Sequence, residues 1–247
     1  MHGCLIPVQT VQMALFSYDP ELVTAFPTIR AGAIHAVGLT NGPTPDEVRA
    51  HFEAEQHATT ERIGDTPLAD LPSLAAWRRV FSGFGVSPTQ YRSAAEALLR
   101  RLTKRGDIPS INLAVDLANL ISVRYRLPVA VFDQAPVRGG TVVRFADGTE
   151  RFTDLGSGVT GPPAVGEVIF VDDDGLVSAR RWCWRQSLES AATPTTTEVL
   201  ITIEGHHDGA GEAVAAATAD LVELLEQFAT PRSITSAPVN PDSISFG

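Results

Sequence analysis

The feature that most constrains this chain is a change of period. Between residues 46 and 126 apolar side chains recur at helical spacing. From Pro128 onward they fall into short β-rich runs, VAVFD, TVVRFA, GEVIFVD, LVSARRWCW and EVLITIEG, divided by Gly, Asp and Pro turns. Helices set ahead of strands, rather than alternating with them, predict an α+β fold and not a series of βαβ units. An earlier strand is predicted over Thr28 to Leu39, closing on the turn signal Asn41-Gly42-Pro43. Thr44 or Asp46 is expected to cap a polar helix running to Ile63. Two strong helical stretches follow, LAAWRRVFSGFG and TQYRSAAEALLRRLTK; in the second, Tyr91, Ala94, Ala95, Leu98, Leu99 and Leu102 form the apolar stripe, and Gly106 ends it. A third helix is expected from Ser110, as N-cap, to about Arg126. An Ala- and Leu-rich amphipathic helix spans Gly211 to Phe228, and the polar, Pro-rich stretch 229–247 is expected to be a loose tail. With no repeat and no long linker, residues 1–247 are expected to form one domain.

Composition narrows the function classes. No apolar run approaches the roughly 20 residues of a membrane helix, so no membrane partner is expected. The N-terminal segment lacks the pattern of a secretory signal, which makes the cytoplasm the expected location. Cys4 and Cys183 are too few for a disulfide framework, and the adjacent His206 and His207 lack the spacing of a helical metal motif. There is no Gly-rich phosphate loop and no Ser-His-Asp or Cys-His pattern, so neither a metal nor a cofactor is expected and covalent nucleophilic catalysis is unsupported. The net charge of −10 argues against a nucleic-acid partner, yet the charge is uneven. Leu74 to Arg151 holds twelve basic and six acidic residues, a local balance of +6, against seven and twenty-three elsewhere. One basic face on an acidic body fits that distribution. Arg100, Arg101 and Lys104 on the second helix are the candidate RNA contacts; DNA is not expected, and self-association is left open.

Three groups of residues carry candidate chemistry. Asn112, Asp116 and Asn119 lie at i, i+4 and i+7, one stripe of the third helix. Such a stripe lines a pocket or is simply a solvated face. In GLVSARRWCWRQS, Arg180, Arg181 and Arg185 surround Trp182 and Trp184, expected on one face of a strand. Arginines and aromatics together stack on bases and pair with phosphates; alternatively the tryptophans pack into a core. Glu204 ends an apolar strand, where partial desolvation would raise its pKa toward the range of proton transfer, or where it is an ordinary strand-end charge.

Taken together, INLAVDLANLISVRYRLPVAVFDQAPVRGGTVVRFADGTERF resembles the editing domain of the phenylalanyl-tRNA synthetase β subunit, built from its B modules three and four. Asn112, Val115 with Asp116, Asn119, Pro128, Phe132 with Asp133, Gly139 or Gly140, and Arg144 carry the match. TTTEVLITIEG resembles the late strand of that domain, which ends in a glutamate aligned with Glu204. The stretch from Gly166 to Asp172 and RRWCWRQS looks more like free-standing relatives. The resemblance covers about Phe26 to Phe228. It implies helices packed on mixed and antiparallel sheets and, in the family, hydrolysis of tyrosine wrongly attached to the tRNA for phenylalanine.

The chain departs from that pattern at the pocket. Ala118 stands where the family has a threonine, Ala130 where it has a histidine, and Trp184, Arg185 and Gln186 bring bulk in place of a glycine-rich loop. By the resemblance, Asn119 matches a pocket asparagine and Glu204 the glutamate that reads the tyrosine hydroxyl; as candidate catalytic residues, Asp116 or Glu204 would bind the substrate ammonium or orient water. Asn112 and Asn119 would position the ester or ribose, Arg185 or backbone N–H groups would face the oxyanion, Trp182 and Trp184 would wall the pocket or stack on the terminal adenine, and Gln186 would add to the substrate site. The expected function is a trans-editing deacylase acting on an aminoacylated tRNA. A module that binds an amino-acid-like ligand or tRNA without chemistry is the open alternative.

Overall fold

The computed structural model describes residues 14–247; Cys4 and most of the N-terminal segment expected to lack a secretory signal lie outside them. In chain order the elements are β1 (Phe16–Tyr18), α1 (Pro20–Ala25), β2 (Arg30–Val37), α2 (Asp46–Ile63), α3 (Pro72–Gly83), α4 (Ala94–Arg105) and α5 (Leu113–Tyr125). Then follow β3 (Val129–Asp133), β4 (Thr141–Phe145), β5 (Phe152–Thr153), β6 (Thr160–Gly161), β7 (Val168–Val171), β8 (Val177–Arg180), β9 (Arg185–Gln186), β10 (Glu198–Gly205), α6 (Ala210–Leu224), β11 (Ser233–Val239) and β12 (Ser245–Phe246). Helices thus give way to strands at Pro128, where the sequence period changes, and the fold is α+β.

Two sheets face one another. A four-stranded antiparallel sheet runs β11-β2-β10-β3; a six-stranded sheet runs β12-β1-β4-β7-β8-β9 and is mixed because β1 lies parallel to β4. β5 and β6 form a separate hairpin. β10 is buried along nearly its whole length, as a central strand covered on both faces must be. Its side chains alternate between two cores. Val199, Ile201 and Ile203 join the core under α2, α4, α5 and α6, whereas Leu200 joins the core between the sheets, with Phe132, Phe170, Trp77 and Trp182. The same alternation turns Glu204 toward the inter-sheet side. α6 lies close against β2 because Gly32 has no side chain there; a Cβ at that position would meet Thr218 Oγ1 at 2.0 Å.

Several expected boundaries shift, each for a local reason. α4 begins at Ala94, with Ser93 as its cap accepting from the Glu96 amide at 3.3 Å, so Tyr91 precedes the helix. Its end is as expected: Gly106 takes the left-handed conformation (φ 84°) that closes the last turn. α5 is capped by Asn112, not Ser110: the Asn112 side chain accepts from the Val115 amide at 3.2 Å. LVSARRWCW is not one strand. β8 stops at Arg180, and Arg181 and Trp182 turn with φ of 45° and 58°, so Trp182 and Trp184 do not share a strand face.

The stretch expected to be a loose tail is ordered into the sheets, β11 pairing with β2 over seven residues and β12 with β1. β11 is an edge strand, which explains why its composition is polar and why Pro238 is tolerated in it. Among the described residues no helix is long and apolar enough to cross a membrane.

Candidate functional site

Glu204 is 1% exposed at the end of β10. One carboxylate oxygen, Oε1, accepts two hydrogen bonds, from the Tyr18 hydroxyl and from Trp182 Nε1 at 2.8 Å. Burial raises its pKa to about 7, and the two hydrogen bonds, which favour the charged form, offset only part of that shift. Burial and the neighbouring Glu204 likewise hold the Tyr18 hydroxyl well above its ordinary value, so it stays a donor.

The loop after β8 supplies the second wall. Positive φ at two consecutive non-glycine residues costs roughly 1–3 kcal/mol each, and local contacts hold the turn. Glu167 pairs with Arg180 and Arg181, each at 2.7 Å, and the Trp182 amide donates to the Val168 carbonyl at 2.7 Å. The turn drives the Trp182 ring fully inside, edge-to-face against Phe26, Trp77 and His206. His206 is kept neutral by burial, its pKa lowered to about 3. Trp184 stays at the rim, edge-to-face with Tyr91, and the Arg181 guanidinium lies 4.0 Å from the Tyr91 ring centre and 4.6 Å from that of Trp184.

Glu204, Trp182, Trp184, Arg185 and Gln186 line one cavity of ≈ 80 Å³, with Ala130, Phe132, Phe170 and Ala179 among its other walls. All five of the first-named residues are candidates from the sequence. Gln186 is anchored by its side-chain amide, which donates to the Val131 carbonyl at 2.6 Å and to that of Ser190 at 3.2 Å. Arg185 is half-exposed and lies 3.4 Å from Asp154.

The polar stripe of α5 goes elsewhere. Asn112 is spent on the helix cap and on the Ala192 carbonyl at 3.0 Å. Asp116 is wholly buried and accepts from Thr44 Oγ1 at 2.5 Å, from the Ile111 amide at 2.9 Å and from the Ser110 hydroxyl. Thr44, expected to cap α2, is used here instead. Asn119 is half-buried. None of the three lines the Glu204 cavity. Tyr18, which the sequence reading missed, stands 186 residues from Glu204.

A shallow groove of ≈ 380 Å³ adjoins the cavity, sharing Trp184 and Arg185 with it. Its lining includes Arg92, Arg100, Arg101, Lys104 and Arg105 from α4 and the turn before it and, among the described residues, no carboxylate. Arg101 is partly engaged by Asp107, at 3.3 Å. The Ala94 amide donates to the Cys183 carbonyl at 2.8 Å, tying the start of α4 to the tryptophan loop. A larger cleft, ≈ 480 Å³ between α6 and β11, is lined mainly by small residues and Arg30 and lies away from these groups.

Comparison with known proteins places the chain in a family. The B3/4 domain model matches residues 76–227. The phenylalanine–tRNA ligase β subunit of Shewanella oneidensis is 28% identical over 173 residues, 70% of this chain and 21% of that subunit. The β subunit of Vibrio cholerae is 30% identical over 99 residues, 40% of this chain and 12% of that subunit. The chain therefore spans about a fifth or less of the length of these relatives. An N-terminal fragment of the phenylalanyl-tRNA synthetase β subunit from Pyrococcus horikoshii superposes with a TM-score of 0.46 at 13% identity, covering 94% of this chain and 56% of the fragment. Matched over more than half its length, the chain belongs to the B3/4 domain family, as a relative of the phenylalanyl-tRNA synthetase β subunit.

Proposed function

We propose that this protein hydrolyses the ester joining an amino acid to the terminal ribose of a tRNA, as a deacylase acting in trans. The observation that carries this reading is the junction of a buried carboxylate cavity with a basic groove, through the shared Trp184 and Arg185. Such an ester is intrinsically labile, so a site that holds the ester, positions water and offsets the oxyanion suffices without a covalent nucleophile. Water adds to the ester carbonyl, the bond to the ribose oxygen breaks, and the amino acid and a free ribose hydroxyl leave. A carboxylate with a pKa of about 7 is matched to taking the proton from that water and returning it to the ribose oxygen. Arg185 faces the oxyanion, and Arg100, Arg101 and Lys104 receive phosphates of the incoming strand. Asn112, committed to the cap of α5, and Asp116, committed to Thr44, Ser110 and the Ile111 amide, have no part in this scheme, and Asn119 does not border the cavity.

The test is the decay of a panel of aminoacyl-tRNAs. Acceleration of at least one over buffer supports the reading, and decay of every member at the buffer rate sinks it. A second reading, a module that binds an amino-acid-like ligand without chemistry, is favoured by Ala130, which lines the cavity where the resemblance places a histidine. Ligand binding that Glu204→Ala abolishes, with no turnover, would select that reading.

A further inference from the structure

The size of the cavity bears on which amino acid it admits. A closed apolar cavity of about 150 Å³ is what a benzene ring occupies, and one water takes a share of about 30 Å³. The ≈ 80 Å³ beside Glu204 is about half of the first and less than three times the second. Its walls do not yield readily. Phe132, Phe170 and Trp182 are each 1% exposed or less; Gln186 is held by two backbone carbonyls; Trp184 is pinned between Tyr91 and the guanidinium groups of Arg181 and Arg185. Tyr18 and Trp182 both bond Oε1, which leaves Oε2 to meet a donor in the cavity.

We infer that the site is specific for an aminoacyl group with a small side chain, of about one to three heavy atoms, and that Trp184 is the residue that excludes aromatic ones. This inference rests on the ester-hydrolase reading above and names its substrate class. Alanyl and seryl esters belong to that class; phenylalanyl and tyrosyl esters do not. A site shaped against bulk discriminates by steric exclusion as well as by lost contacts.

The experiment charges one tRNA in turn with alanine, serine, phenylalanine and tyrosine and follows deacylation by the full chain. The small esters should be lost about 100-fold faster than the aromatic ones, the scale on which a close-fitting pocket discriminates. Aromatic esters cleaved as fast as small ones overturn the selectivity while leaving ester hydrolysis standing. If no ester is cleaved, ester hydrolysis falls, and calorimetric titration with alaninamide and phenylalaninamide decides the selectivity. Binding of alaninamide alone supports it, and binding of phenylalaninamide or of neither overturns it. Trp184→Ala should raise the aromatic-to-alanyl rate ratio at least tenfold; an unchanged ratio in a variant whose thermal unfolding is intact removes Trp184 as the excluding wall. Should that variant not fold, the wild-type comparison decides alone.

Discussion

Asp116 and Glu204 are both buried carboxylates, and their oxygens are bonded in opposite ways. Asp116 accepts on both oxygens, from Thr44, Ser110 and the Ile111 amide, and borders no cavity. It joins the start of α2 to the start of α5, and its hydrogen-bonding capacity serves the fold. Glu204 receives two donors on a single oxygen, sits on a cavity and has its pKa raised to about 7 by burial. A carboxylate whose donors are all internal has little left for a ligand. One that is desolvated but only half satisfied keeps a free oxygen and a proton equilibrium near neutrality, which are the attributes of a working group. Burial alone does not separate the two; the distribution of donors does.

That contrast can be broken by substitution. Asp116→Ala should have the largest effect, on stability: it leaves the buried Thr44 hydroxyl without its acceptor and releases the Ser110 hydroxyl and Ile111 amide at the surface, at a cost of about 2–3 kcal/mol. Chemical denaturation measures it, and a loss under about 1 kcal/mol would return Asp116 to the class of surface charges. Glu204→Gln should do the reverse, lowering deacylation at least about 100-fold while the fold persists. Its stability effect has a defined sign. The folded-state pKa of Glu204 lies above its ordinary value of 4.5. The stability that this shift contributes is therefore complete below about pH 4.5 and is lost as the pH rises through about 7. The glutamine variant should accordingly gain on wild type between pH 5 and pH 8, by an amount on the order of 2–3 kcal/mol. A constant difference across that range contradicts the assignment.

Smaller effects sharpen the site's edges. Charge reversal of Arg100 together with Lys104 should weaken binding of uncharged tRNA about tenfold near 0.1 M salt and flatten its salt dependence, read by fluorescence anisotropy. Unchanged affinity and slope would detach the groove from RNA. Tyr18→Phe should be mildest, slowing deacylation roughly fivefold. It also removes a hydrogen bond that favours the carboxylate, so the inflection of the pH–rate profile near 7 should move upward.

Much of the fold was legible because it rests on local signals. The period change at Pro128, the apolar run of β10 and the glycine after α4 each act within a few residues. The misread places depended on partners far along the chain. β11 looked like a tail because an edge strand keeps a polar composition, and its pairing with β2 cannot be seen from its own residues. The α5 stripe was visible as Asn112, Asp116 and Asn119, but whether it faced ligand or fold was decided by Thr44 and Ser110. Trp182, Trp184, Arg185, Gln186 and Glu204 were singled out by density and position. Tyr18 was not, because nothing in Phe16–Tyr18 marks a tyrosine whose partner is 186 residues away.

The most direct test of the contrast is carbon-13 NMR of carboxyl-labelled glutamate, with Glu204 assigned by its glutamine variant and followed with and without a non-hydrolysable alanylamide of adenosine. The account predicts that Glu204 titrates near pH 7 and that its resonance shifts when the analogue binds. A Glu204 carboxyl that titrates in the ordinary carboxylate range and ignores the analogue would contradict it.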